Sequence, residues 1–444
     1  MFGSRSASSQ AAGYAYAGIA MAGPWMLTFV TLLALGLVPL PGLSWEERGA
    51  FQVFVLYGHC GSMLLTGGLQ LVVARHVSDQ IFVGDVRRLG PTYATAALVS
   101  LLLHAGTAGL FALVTGASGM LAMAEVAFFG TLGLVWIGML FLGTLRSYLF
   151  VATTFVAGMG ASFATAVPLA GRLGLPGLLG GFAAGQALIA AVFAARVRAQ
   201  FPTARGLDAG LLETVARYPS LPFIGLAAAA GIWIDKILYW LGPFSVEFEG
   251  GLVSAPLYDN AVFLAYLTVL PSLMLLFIRV EVSFHDRCRR FHAAIRQGAD
   301  LATIRTERER VRESLETTLI RLVGLQGTAT LIAILFAPGL LDVLGIDWVQ
   351  FYAFRVACLG AFLQVLVMTL LLSMIHLAFY RSALLMMGVY LGVCGGITLA
   401  FLGRGVEFAG VGMVAGGLAA LAFALPRLRQ SLLELDREAF AAFD

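Results

Sequence analysis

Apolar stretches of about twenty residues recur along this chain with short polar breaks between them, the length at which a helix crosses a hydrocarbon core roughly 30 Å thick. Twelve are readable, near 13–40, 51–74, 92–115, 120–143, 148–170, 177–196, 219–242, 259–279, 318–341, 351–377, 383–402 and 407–426. Three polar segments interrupt them: 197–217, the charge-dense 280–317, and the amphipathic tail 427–444. The pattern predicts an all-α polytopic membrane protein with about twelve transmembrane helices in two six-helix lobes. The N-terminal lobe is 1–196, a cytoplasmic connector 197–217, the C-terminal lobe 218–426 with a cytoplasmic helical arm at 280–317, and the cytoplasmic tail 427–444. Internal duplication of this kind is common in transporters, whose substrate path lies between the repeats.

Composition agrees. Hydrophobic residues make up 59% and charged residues 12%, against about a quarter charged in soluble chains. A net charge of +3 is too small to point to nucleic acid. Its distribution says more: with the N-terminus on one side, that side collects 23 arginines and the other keeps only Arg48, Arg172 and Arg404. The positive-inside rule then makes both termini and the 280–317 segment cytoplasmic. Cys60, Cys288, Cys358 and Cys394 show neither a disulfide framework nor zinc-ligand spacing. No metal and no cofactor is expected, and no cleavable signal peptide is readable.

Charge inside a bilayer needs a partner, a wet cavity or an escape to the interface. The run Gly231–Trp240 therefore stands out, because Asp235 and Lys236, the only lysine of the chain, lie between Trp233 and Trp240. On a helix Trp233, Lys236 and Trp240 form one stripe, with Asp235 and Tyr239 beside it. Consecutive residues point about 100° apart, so the two charges are expected to need separate partners. Asp259, with Tyr258 and Tyr266 on the next span, is the leading candidate for Lys236. Two readings stay open: a snorkelling anchor in an aromatic belt, or a polar cavity whose aromatic faces stack on sugar rings while carboxylates meet hydroxyls or amines. Hinge candidates are Gly23 and Pro24, where proline breaks the first span, and Gly231. His59 and His104 read as hydrogen-bonded interior residues, Glu125 as an interfacial one.

In the arm, Phe284, Cys288, Phe291 and Ile295 recur at helical spacing among Arg287, Arg289, Arg290 and Arg296. That amphipathic pattern suits an anionic leaflet. Gly298 ends the helix and Asp300 caps a second one over 301–315. A docking surface for a cytoplasmic partner, made by Phe284, Arg287, Arg289, Arg290 and Phe291, is the alternative to a solvated connector.

Gly13–Trp25, Trp233–Lys236, Tyr258–Leu267, Phe277–Glu281, Pro219-Ser-Leu and Gly185-Gln-Ala resemble PelG, the inner-membrane transporter family of the Pel exopolysaccharide system. The resemblance implies a fold similar to the multidrug/oligosaccharidyl-lipid/polysaccharide flippase superfamily, in the bacterial inner membrane. It implies export of an aminosugar-rich polymer as it is made. The implied partners are a cytoplasmic UDP-sugar glycosyltransferase and membrane-anchored Pel subunits, including a cyclic-di-GMP receptor. An ion-coupled exporter of small molecules or lipid-linked sugar is the alternative, with Asp235, Asp259 or Glu125 as the titrating group. A membrane enzyme is the weakest reading, since no Walker motif or acid–base constellation is readable.

Overall fold

The computed structural model describes residues 24, 26–40, 42–117, 119–145, 147–201, 206–248, 251–343 and 348–433. Gly23 lies outside them. The described helices are α1 Met26–Leu37, α2 Trp45–Val83, α3 Leu89–Thr115, α4 Gly119–Thr144, α5 Tyr148–Leu173, α6 Leu175–Gln200, α7 Gly210–Arg217 and α8 Ser220–Trp240. A hairpin of β1 Val246–Phe248 and β2 Leu252–Ser254 follows. The chain continues through α9 Pro256–Leu267, α10 Leu270–Leu276, a π-helical turn at Phe277–Phe284, α11 His285–Arg296, α12 Leu301–Val343, α13 Val349–His376, α14 Tyr380–Phe401 and α15 Val411–Leu433.

Among the described residues nine helices are long and apolar enough to cross a membrane, ten if the bent α9–α10 pair counts as one span. Two of the expected crossings are not in that number. Of the first, only Met26–Leu37 is described as an apolar helix, and α2 interleaves Gln52, His59, Ser62, Thr66 and Gln70 with its apolar residues. The expected span 259–279 is broken by 47° between α9 and α10, where Pro271 supplies no amide to the preceding turn. The expected arm helix 301–315 does not stop at all. It runs on as α12 for 43 residues, about 65 Å at 1.5 Å per residue. Neither glycine nor proline intervenes before Gly324. Arg310–Glu307, Arg312–Glu309 and Arg312–Glu316 pairs at helical spacing carry it through the polar stretch.

The chain forms two compact units. The first takes Ala22–Ala230 and Val246–Ser254, the second Gly231–Ser245 and Ala255–Asp444, as far as their described residues go. Helix α8 therefore changes unit between Ala230 and Gly231.

In the first unit, α5 and α6 are joined by bonds from Ser162 Oγ to Phe182 O at 2.9 Å and from Thr165 Oγ1 to Gly181 O at 2.7 Å, the polar contacts expected where apolar burial cannot drive association. The start of α8 lies against α2 at a glycine crossing. A Cβ on Gly67 would stand 2.7 Å from Gly225 O. His104 is an interior residue, its Nδ1 2.7 Å from Ser100 O, and His59 Nδ1 is 2.8 Å from Val55 O. The hairpin also belongs to this unit, where Tyr57 Oη donates to Val253 O at 2.5 Å.

A buried polar clasp holds the connector. Asp208 accepts from Thr92 Oγ1 at 2.7 Å and from Gly210 N–H at 2.9 Å, and His76 Nε2 lies 2.8 Å from its Oδ2. Asp208 N–H donates to Thr95 Oγ1 at 2.8 Å, and His76 Nδ1 is 2.7 Å from Thr214 Oγ1. Burial pushes the Asp208 carboxyl up, but the hydrogen bonds from Thr92, His76 and Gly210 outweigh it and hold it below its ordinary value. One helical turn away, Arg75 Nη2 donates to Tyr218 Oη at 3.1 Å. The entrance to α8 is thus tied to α2 and α3.

In the second unit α13 is the axis, mostly buried, whereas α12 is peripheral. The outward Leu331, Leu335 and Phe336 of α12 are more than half exposed and suit acyl chains.

Candidate functional site: a buried ion pair among aromatic rings

Four alanines, 227–230, carry α8 as a good helix former up to Gly231. There a side chain would press on its surroundings: a Cβ would meet Met387 Cε at 3.1 Å and the Tyr390 ring at 3.3 Å. Gln364 Nε2 of α13 donates to Gly231 O at 2.9 Å, and Gln364 Oε1 accepts from Tyr266 Oη at 2.5 Å. Gly231 is therefore braced by Gln364 of α13, which Tyr266 of α9 holds in turn.

One turn on, Asp235 is 1% and Lys236 6% exposed. Their side chains converge, with Lys236 Nζ 3.5 Å from Asp235 Oδ1. Tyr258 donates its hydroxyl to Asp235 Oδ2, and its ring stacks on Tyr239 with centroids 4.2 Å apart. Lys236 Nζ also donates to Ile232 O at 2.7 Å and sits over the Tyr266 and Trp233 rings at 5.0 and 5.6 Å, cation–π geometry that offsets part of its desolvation. Asp259 accepts from Trp240 Nε1 at 2.9 Å and from Ala255 N–H at 3.1 Å. Trp233 and Trp240 lie 6.2 Å apart.

The structure brings all eight sequence-selected residues, Trp233, Asp235, Lys236, Tyr239, Trp240, Tyr258, Asp259 and Tyr266, into one part of the second unit, and it corrects their pairing. Asp235 and Lys236 are partners of each other, because a lysine stem is long enough to bend across the 100° between neighbouring positions. Asp259 bonds Trp240 and the backbone at the start of α9 rather than Lys236. The lysine is also no snorkelling anchor, since its ammonium turns back one turn along α8 to Ile232 O. Gln364, Tyr390 and Met413, whose Sδ is 3.5 Å from Tyr258 Oη, were not anticipated. Gln364 had a signal, an isolated amide in an apolar span; Tyr390 and Met413 look like ordinary core residues. Three buried polar atoms of these helices, Asp235 Oδ1, Trp233 Nε1 and Tyr390 Oη, make no hydrogen bond.

The arm departs from the leaflet-bound expectation. Helix α11 packs on α12, burying Phe284, Cys288, Phe291 and Ile295 on one side and Ile304, Val311 and Leu315 on the other. An apolar stripe that finds a complementary stripe in its own chain has little left for lipid. Of the five residues selected for docking, Phe284 and Phe291 are interior, Arg287 is half-buried, and Arg289 and Arg290 are exposed. Glu125 is buried within the protein, at 4% exposure. Among the described residues no group of three metal-ligating side chains occurs.

This is the fold of the multidrug-resistance MATE transporters. An outward-facing MATE family transporter of the MOP superfamily matches with a TM-score of 0.69 at 15% identity, over 96% of each chain. A MOP superfamily transporter from Pyrococcus furiosus, described by a reversed polarity of its binding pocket, matches at 0.69 and 14%, again over 96% of each chain. An inward-facing MATE transporter matches at 0.60 and 13%, over 96% of this chain and 95% of that one. No curated protein sequence matches. The chain is a multi-pass membrane protein with this fold. It belongs to the PelG family, "Putative exopolysaccharide Exporter (EPS-E)", whose profile matches residues 1–440.

Proposed function

We propose that this transporter exports a sugar-bearing molecule, small or lipid-linked, in discrete ion-coupled cycles. The observation that carries the reading is the Asp235–Lys236–Tyr258 cluster. It is buried within one unit and ringed by Trp233, Tyr239 and Tyr266, and it keeps hydrogen-bonding capacity in Asp235 Oδ1, Trp233 Nε1 and Tyr390 Oη. Aromatic faces with unused donors and acceptors suit a sugar ring, and an enclosed site suits cargo that is bound and released. The likeness to MATE transporters supports the same reading at the level of fold.

The family match favours a second reading. Here the cargo is a Pel-like, aminosugar-rich exopolysaccharide received from a cytoplasmic UDP-sugar glycosyltransferase, with membrane-anchored Pel subunits, among them a cyclic-di-GMP receptor, as partners. The exposed Arg289 and Arg290 would then offer docking charge. Both readings carry twelve spans in two six-helix lobes, a bacterial inner membrane and cytoplasmic termini.

Proteoliposomes holding the purified chain separate the two. Proton or sodium flux driven by a lipid-linked sugar supports the first; polymer export without ion flux, dependent on the glycosyltransferase, supports the second. In either case Asp235→Ala or Asp259→Ala abolishes export while the protein still inserts and assembles. Undiminished export from both variants would remove the site assignment.

A further inference from the structure

Glu125 is the only charged residue of α4. Neither of its carboxyl oxygens has a hydrogen-bond partner. One turn along the helix, Phe128 meets Phe182 and His59 at 5.6 and 6.2 Å between ring centroids, and Phe129 meets His104 at 5.1 Å. The adjacent Ala124 faces Gly180. The titratable and charged groups on the helices packed against α4 are engaged elsewhere or stand at helix ends. On α2, Glu47 caps its own helix, Arg48 Nη2 donates to Leu40 O, Tyr57 Oη donates to Val253 O and His59 Nδ1 bonds Val55 O. Glu46 lies in the first turn of α2. On α3, His104 is held by Ser100 O. On α5 and α6, Arg172 and Arg198 lie in the last turns, and Arg196 stacks on Phe150.

A buried carboxylate without a donor or cation is too costly to persist; it neutralises by taking up a proton. A bound metal cation is a poor alternative, because a hard cation needs several oxygen ligands and no group of three metal-ligating side chains occurs among the described residues. We propose that Glu125 is a proton-binding site, a neutral carboxylic acid kept inside the first unit that exchanges its proton with solution. It sits about 9 Å along α4 from Gly119, six residues at 1.5 Å each, so a modest opening of that helix end reaches it. Loss of the proton places a full negative charge in the unit, so alkaline solution favours whichever conformation hydrates Glu125. The protonation holds whatever the cargo is.

The test is carbodiimide labelling of the purified full chain with dicyclohexylcarbodiimide in liposomes, read by peptide mass spectrometry. The carboxyl O–H adds across one C=N bond of the reagent: the oxygen goes to carbon and the proton to nitrogen. The acyl group then migrates from oxygen to nitrogen to give a stable N-acylurea, with no leaving group. A hydrophobic carbodiimide needs a protonated carboxyl in an apolar setting, so Glu125 is labelled while the exposed Glu46 is not. Labelling falls by about tenfold per pH unit once the carboxyl ionises. In Glu125→Gln the adduct disappears, together with the infrared C=O stretch of a protonated carboxyl, and Glu125→Asp restores both. The wild-type measurement alone is decisive if a variant fails to fold. Absence of an adduct on folded wild-type protein overturns the proposal. So does protection by sodium but not by choline, which would make the site a cation site.

Discussion

Neutralising Asp235 tests whether the charge pair organises the second unit. The pair is 3.5 Å apart, worth about 5 kcal/mol of attraction at an effective dielectric of 20, and Asp235 also accepts the Tyr258 hydroxyl, worth about 2 kcal/mol to a charged acceptor. Asp235→Asn removes both charge-assisted contacts and strands Lys236, 6% exposed, without its counter-ion. Breaking one side of a buried pair costs about 3–5 kcal/mol, a fall in melting temperature on the order of 10 °C for a unit of this size. The Asp235→Asn/Lys236→Met double variant removes both charges and should recover most of that loss, because replacing a whole buried pair is often neutral. Thermal unfolding of the purified protein, followed by tryptophan fluorescence, gives the three melting points. A single variant within a degree or two of wild type, or a double variant no more stable than Asp235→Asn alone, would refute the argument. Transport should stay lost in the double variant even with stability restored, since the same charges serve fold and cargo.

The clasp predicts a pH signature. Asp208→Ala should cost about 3 kcal/mol, seen as a lowered melting temperature. Because Asp208 titrates below its ordinary value, its stabilisation is present above the unfolded carboxyl range near pH 4 and lost as pH falls through the lower folded value. The gap to wild type should therefore be full at neutral pH and close in acid. Gln364→Leu removes the bonds to Gly231 O and Tyr266 Oη and leaves the tyrosine hydroxyl unpaired, which should lower stability by about 1–3 kcal/mol and slow transport more than Gln364→Glu does. Gly225→Ala puts a methyl into the Gly67 carbonyl, a backbone atom that cannot turn away. That overpacking should cost about 1–3 kcal/mol, whereas alanine at Gly388, with nothing within 4 Å, should leave the melting temperature unchanged.

Hydrophobic spacing alone determined that this is an all-α membrane protein, where most of its helices run, and that Gly231–Trp240 carries its most expensive charges. Those are consequences of local pattern, since a span's length and a charge in apolar sequence are visible one segment at a time. The partnerships depended on tertiary structure. Whether Lys236 snorkels, reaches Asp259 or folds onto Asp235 turns on the carbonyl of Ile232 and the ring of Tyr266, groups that only the packing of α8 against α9 brings together. The arm shows the same limit: Phe284 and Phe291 read identically whether their stripe meets lipid, a partner or α12, because amphipathic spacing specifies an apolar face and not its occupant. The division of α8 at Gly231 has no local sign beyond a glycine, since it is set by which neighbours each half of the helix packs against.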